Sequence, residues 1–241
     1  MSRPVNFIGV LVYYVSMKKF ILSMVDSLGL TRKIPRTRID VFLQKHATEA
    51  KTLDLGGGDG PYRRYFPNST RVDIEQTAHV DVVADAHNLA MFDEGEFECV
   101  LLTEVLEHLH TPEKAIQEMY RVLRPGGKII LTTRFVFPLH NIPGDYFRFT
   151  RYGLLHLLRN FKEVHVEEEI GTIGTLAVLF ERLAFQSETL WFKPFNFFWL
   201  VLSKATLLFQ SIITREYGEV GHRSGETKNI MASGYYAVAV K

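Results

Sequence analysis

The stretch Leu53-Asp54-Leu55-Gly56-Gly57-Gly58-Asp59-Gly60-Pro61-Tyr62 holds the densest chemical signal in this 241-residue chain. It follows a short strand, Lys51–Leu55. Glycines at 56, 58 and 60 let a backbone turn sharply and approach a ligand where a Cβ would clash. A loop of this kind at the C-terminal edge of a parallel sheet is the usual seat of a nucleotide cofactor. Two cofactor classes are disfavoured by spacing. The dinucleotide fingerprint G-x-G-x-x-G fails because Pro61 stands sixth from Gly56, and the Gly-Lys-Ser/Thr ending of a phosphate loop is absent. An acid at the end of the next strand would accept hydrogen bonds from ribose hydroxyls. Asp73, 19 residues after Asp54, fills that position, with Glu75 as a close alternative.

The elements that must position these residues alternate between strand and helix signals from about residue 36 to 169. Strands are predicted at Lys51–Leu55, Arg71–Ile74, Val80–Ala84, Phe97–Leu102, Lys128–Thr133 and Glu163–Glu168, with a last one at Tyr235–Lys241. Ile39, Phe42 and Leu43 mark a short helix, Pro112–Leu123 a longer one with Ile116, Met119, Tyr120 and Leu123 on one face, and Tyr152–Leu158 another. Arg124-Pro-Gly-Gly127 is read as the stop of the longer helix, with glycine as its left-handed cap. Strands separated by helices imply a parallel sheet covered on both faces.

With an acid inside the first strand, Asp-x-Gly-x-Gly-x-Gly resembles motif I of the class I S-adenosylmethionine-dependent methyltransferases. Further motifs follow in that family's order: Asp85 in Val82-Val-Ala-Asp-Ala-His87, Leu101-Leu-Thr-Glu-Val-Leu-Glu-His108, and Arg121-Val-Leu-Arg-Pro-Gly-Gly127 before a strand. The resemblance covers about residues 48–170 plus the terminal strand. Ala84–His87 and Pro138–Thr150 narrow it to a small, type 11-like subgroup whose members often accompany surface-polysaccharide enzymes. It implies a doubly wound α/β fold: a seven-stranded, mostly parallel Rossmann-like sheet with a helical insertion before the last strand. It implies S-adenosylmethionine as cofactor, held by Asp54, Gly56, Gly57, Gly58, Gly60, Asp73, Asp85, Ala86, Thr103 and Glu104. Four segments are expected: an apolar and basic appendage over 1–35, the core over 36–170, the insertion over 171–233, and the final strand over 234–241.

Methyl transfer from a sulfonium is an in-line displacement, so the enzyme positions the nucleophile and excludes water. A hydroxyl acceptor also needs a base. His140 is the first choice, since imidazole titrates near neutral pH, and Asp145 and Tyr146 complete the expected catalytic set. Arg148 either clamps an anionic group of the acceptor or pairs with a nearby acid. Glu104-Val-Leu-Glu107-His108 places two carboxylates and an imidazole on roughly one helical face. It resembles the magnesium site of small-RNA ribose methyltransferases and quinone-biosynthesis O-methyltransferases. Many metal-free members carry similar residues, and the expected set contains no metal.

The formal charge is +1, from 28 basic and 27 acidic residues, which argues against a nucleic-acid partner. That neutrality is a cancellation: residues 1–45 sum to +6 and the remainder to −5. Cys99, the single cysteine, excludes an internal disulfide and fits a reducing, cytoplasmic compartment. The uncharged run Pro4–Met17 is shorter than the ~20 residues a membrane span takes. In Pro194–Ile213 the single charge is Lys204. That insertion has three readings: a roof over an apolar acceptor pocket, a homodimer interface, or peripheral contact with a membrane beside the basic N-terminal segment. The expected activity is O-methylation of a small molecule or a lipid-linked glycan. The alternative is a non-catalytic cofactor-binding module that serves as a membrane or partner scaffold.

Overall fold

The computed structural model describes residues 32–58, 61–187, 194–219, 226–227 and 229–241. The expectations for residues 1–31, and for Asp59 and Gly60 in the glycine loop, lie outside the described residues. Strands β1 (Thr52–Leu55), β2 (Ser69–Asp73), β3 (Val82–Val83), β4 (Phe97–Thr103), β5 (Leu123–Arg134), β6 (Lys162–Glu168) and β9 (Gly234–Val240) form one sheet in the order β3-β2-β1-β4-β5-β9-β6. Helices α1 (Ile34–Lys45), α2 (Pro112–Val122) and α3 (Arg151–Leu157) accompany them. The pairs among β1 to β5 are parallel, and β9 runs antiparallel between β5 and β6.

The apolar patterns explain the layers. Every residue of β1 is buried, as in a strand covered on both faces. One face of the sheet packs Leu53, Leu55, Val100 and Leu102 against Ala115, Ile116 and Met119 of α2. The other packs Cys99, Leu101 and Ile130 against Ile39, Phe42 and Leu43 of α1. The α2 stripe falls at the expected 3.6 spacing, but the helix ends differently from the sequence reading. Leu123 turns extended at φ −73°, ψ 136° and enters β5 directly. Gly126, at φ +76°, therefore lies inside the strand and not at a helix cap.

The insertion opens with α4 (Thr172–Gln186) and α5 (Pro194–Leu207), followed by the small β7–β8 pair, Glu216–Tyr217 with Glu226–Thr227. Helices α4 and α5 pack on each other: Phe180 stacks on Trp199 at 5.6 Å between ring centroids, and Ser203 Oγ donates to the Ala177 carbonyl at 2.7 Å. The sheet register fixes where this unit sits. Glu168 lies opposite Tyr235, and Arg134 opposite Gly234. The chain thus leaves and re-enters the sheet at the C-terminal edge of β5, the edge where parallel α/β sheets place their ligands. Among the described residues, no helix is long and apolar enough to cross a membrane.

Candidate active site

Two cavities open at that edge and share Gly56, Asp73, Val105, His108 and Asn141. The larger, about 630 Å³, is also lined by Asp54, Gly57, Thr103, Glu104, Arg134, His140 and Arg182. The smaller, about 350 Å³, is also lined by Asp85, Ala86, His87, His110 and Tyr146.

The glycine loop makes the floor common to both. Gly56 sits at φ +71°, and a Cβ there would stand 2.2 Å from Val105 Cγ2. A Cβ on Gly57 would stand 2.7 Å from Asp54 Oδ2. The Gly58 N–H donates to Asp73 Oδ2 at 3.2 Å, which ties the loop to the end of β2. Gly56→Ala should therefore destabilise the fold by about 2–4 kcal/mol, from overpacking plus the left-handed backbone. It should also weaken ligand binding in both cavities at least tenfold, as read by urea unfolding and by titration.

Burial pushes the Asp54 carboxyl up to about 7, only partly opposed by Arg71, while Asp73 raises it further. Partial desolvation raises the exposed Asp85 carboxyl, but two hydrogen bonds from His87 outweigh it and hold the group low. His87 is itself fully engaged. Its Nδ1 donates to Asp85 at 2.5 Å, its Nε2 accepts from the Thr111 N–H at 3.3 Å, and its ring stacks on His110 at 4.1 Å.

Strand β4 ends in a tight turn, and the expected helix after it is reduced to the 3₁₀ turn Leu106–His108. Glu104 occupies the left-handed region at φ 58°, a strained position for a non-glycine residue. The Thr132 hydroxyl holds it there, accepting from the Glu104 N–H at 3.1 Å and donating to Oε1 at 2.9 Å. Its other oxygen pairs with Arg134. Burial raises the Glu104 carboxyl to about 7 against the pull of Arg134. Arg134 is also gripped by both oxygens of Glu169, at 2.9 and 2.7 Å. Neither Arg134 nor Glu169 was singled out from sequence. The legible signal was a charged residue ending a buried strand.

Glu107 is fully buried. Its Oε2 accepts from Thr133 Oγ1 at 2.8 Å, and its Oε1 has no hydrogen-bond partner among the described residues. Burial raises its carboxyl, but His140, Thr133 and Arg134 outweigh burial and hold it below the usual range. The loop over 135–150 brings His140 to it. Tyr146 and Phe147 N–H groups both donate to the Glu107 carbonyl, and His108 Nδ1 donates to the Gly144 carbonyl at 2.6 Å. His140 Nε2 then lies 3.7 Å from Glu107 Oε1, and Nδ1 3.5 Å from Asp145 Oδ2.

Asp145 and Tyr146, the other two expected catalytic residues, differ in their surroundings. Asp145 forms a two-point pair with Arg148 at 2.5 and 2.6 Å and accepts the His140 N–H at 3.0 Å. Arg148 holds its carboxyl far below the ordinary range, so Asp145 orients His140 and is poorly suited to take a proton. Arg148 also donates to the Phe137, Pro138 and Phe147 carbonyls, which makes it the loop's brace. Tyr146 faces the smaller cavity with Asp85, not the larger one with His140. Ligand atoms of Glu107, His108 and His140 lie within 4.8 Å of one another. Glu104, the remaining donor of the Glu-x-x-Glu-His pattern, is engaged by Arg134 and Thr132.

Residues 53–131 match the methyltransferase domain family. The chain carries a class I S-adenosylmethionine-dependent methyltransferase domain. Over 97 residues it is 34% identical to an uncharacterized protein of Methanocaldococcus jannaschii, covering 37% of this chain and 47% of that one. Over 102 residues it is 31% identical to the ubiquinone biosynthesis O-methyltransferase of Xanthomonas oryzae, covering 35% and 43%. The chain spans about half the length of the curated relatives it matches. A solved methyltransferase from Archaeoglobus fulgidus superposes with a TM-score of 0.52 at 15% identity, covering 86% of this chain and 94% of that one. One from Thermotoga maritima gives 0.53 at 14% identity, covering 92% and 97%. At such identities the structural likeness establishes the fold.

The residues of this domain fit S-adenosylmethionine, the cofactor of the class. Gly56 and Gly57 leave a cradle that a Cβ would fill, and Thr103 Oγ1 is buried in the wall with no hydrogen-bond partner among the described residues. Asp54, Asp73, Asp85, Ala86, Thr103 and Glu104, all expected from sequence, line one or both cavities, and Gly58 anchors Asp73.

Proposed function

We propose that this protein transfers the methyl group of S-adenosylmethionine to an oxygen of a small or lipid-linked acceptor, with His140 as the base. The carrying observation is one cavity lined by Asp54, the Gly56–Gly57 cradle and His140, with the buried Glu107 carboxylate 3.7 Å from His140 Nε2. In this reading the smaller cavity takes the adenosine part, against Asp73, Asp85 and Ala86. The larger takes the methionine part and the acceptor. Its 630 Å³ lies within the 300–1,000 Å³ usual for small-molecule sites. The Xanthomonas relative, named a ubiquinone biosynthesis O-methyltransferase, supports an oxygen acceptor.

Asp54 supplies a sharp test. Its carboxyl is raised to about 7 by burial, so it is largely protonated in the free protein at pH 6. S-adenosylmethionine carries a sulfonium and an ammonium, and positive charge brought to Asp54 favours the ionised form. Binding should therefore release a proton, and affinity should rise with pH up to about 7 and level off above it. Calorimetric titrations in buffers of different ionisation enthalpy check this. Asp54→Asn should abolish the proton release. Unchanged stability with S-adenosylmethionine or S-adenosylhomocysteine, or equal binding of a nicotinamide dinucleotide, would sink the proposal.

A lipid-linked acceptor is favoured by the exposed apolar row Phe197, Phe198 and Val201 on α5, continued by Leu208, Phe209 and Ile212. The +6 segment over residues 1–45 would suit an anionic leaflet. Flotation of the full chain with vesicles containing anionic lipid should exceed that with neutral vesicles, and Phe198→Glu/Phe209→Glu should reduce it. Equal flotation of the two proteins counts against this contact.

A further inference from the structure

The larger cavity holds a guanidinium that no carboxylate pairs with among the described residues. Arg182 projects from α4, outside the matched domain segment, into the cavity wall. Its Nε is buried without a hydrogen-bond partner among the described residues, and its guanidinium lies 4.3 Å from the centre of the Phe137 ring. The acids around it are already committed. Glu104 and Glu169 hold Arg134, and Glu181 accepts from the Ile34 N–H and from Lys204. Arg134 lies 4.5 Å from the centre of the same Phe137 ring and adds like charge beside Arg182. Burial and that neighbour both push the Arg182 guanidinium below its ordinary range.

An unpaired cation in a half-buried wall costs free energy unless a ligand supplies the counter-charge. Lys33 and Arg36 line the same cavity without a carboxylate partner among the described residues; Arg36 donates to the Tyr62 hydroxyl, and Lys33 lies over the Phe185 ring. Resting on the methyltransferase reading above, we propose that the methyl acceptor carries an oxyanion, a carboxylate or a phosphate, and that Arg182 binds it. The planar fork of arginine suits both groups, and Phe137 preorganises it by stacking. Placing the anion recognition on α4 means that the insertion selects the acceptor while the sheet edge binds the cofactor.

The test uses the full-length protein, with and without saturating S-adenosylhomocysteine. Calorimetry compares 4-hydroxybenzoate, phenyl phosphate and the neutral methyl 4-hydroxybenzoate. At least one anion should bind ten times more tightly than the ester, and which one tells a carboxylate acceptor from a phosphorylated one. Arg182→Gln should weaken that anion tenfold or more while leaving S-adenosylhomocysteine affinity within twofold. Arg182→Lys, which keeps charge but not the fork, should fall between, and it decides the matter if Arg182→Gln does not fold. The proposal is overturned if neither anion binds the wild-type protein, if the ester binds as well, or if both variants bind the anion like wild type. Failure of S-adenosylhomocysteine itself to bind would strike the methyltransferase reading, and the anion measurement made without it stands separately.

Discussion

Arg134→Met should cost about 3–5 kcal/mol of folding stability, the range seen when one partner of a buried ion pair is removed. Arg134 is 4% exposed and is shared between Glu104 and Glu169, with the Ser233 and Tyr236 hydroxyls also donating to Glu169. Removing the guanidinium leaves two carboxylates desolvated with neutral donors alone. Glu104, already raised to about 7 by burial against the pull of Arg134, would then favour its protonated form further. A carboxyl whose folded pKa is raised contributes stability at low pH that is lost as pH rises through that folded value. The variant should therefore fall furthest below wild type near pH 8 and approach it near pH 5. Urea unfolding at the two pH values measures this. A deficit independent of pH would mean that lost packing dominates, and not the stranded charges.

The strands of the sheet and the glycine loop were legible because they rest on local signals. Leu53 and Leu55 stand in an apolar strand, Gly56 must adopt φ +71°, and Asp73 ends the next strand. The antiparallel pairing of β9 with β6 brings both ends of the long insertion to one edge. The Arg134–Glu169 pair was not legible. It joins residues 35 apart, on neither a helical nor a strand spacing, and the pairing of both β5 and β6 with β9 brings them together. Glu104 illustrates a second limit. Its spacing to Glu107 suggests a shared helical face, but the left-handed turn at Glu104 breaks the helix before it forms and sends the two side chains to different partners. In the sequence Arg182 stands beside Glu181 in an otherwise apolar stretch. Its aim into the cavity depends on α4 packing over Phe137, which periodicity does not encode.

His140→Ala should lower turnover by about 10²–10⁴, the range for losing a positioned general base, while cofactor affinity stays within twofold. The separation is expected because His140 lines only the larger cavity, whereas the proposed cofactor contacts run through Gly56, Asp73 and Asp85. Glu107 supports the base in two ways. Its carboxyl is held low by Thr133, His140 and Arg134 despite complete burial, so it carries charge where the imidazolium would form. Its backbone carbonyl also anchors Tyr146 and Phe147, which hold the loop that carries His140. Glu107→Gln keeps that carbonyl and most of the shape but removes the charge, so it should lower kcat with little change in cofactor affinity. Asp145→Asn should cost less than either, because Asp145 fixes the His140 backbone and ring without receiving the proton. The order His140→Ala, then Glu107→Gln, then Asp145→Asn is the signature of a base, its charge partner and its orienting acid. Turnover that requires a divalent cation and vanishes with EDTA would instead make Glu107, His108 and His140 ligands. All three substitutions at that site would then act through metal affinity, and added metal would rescue them.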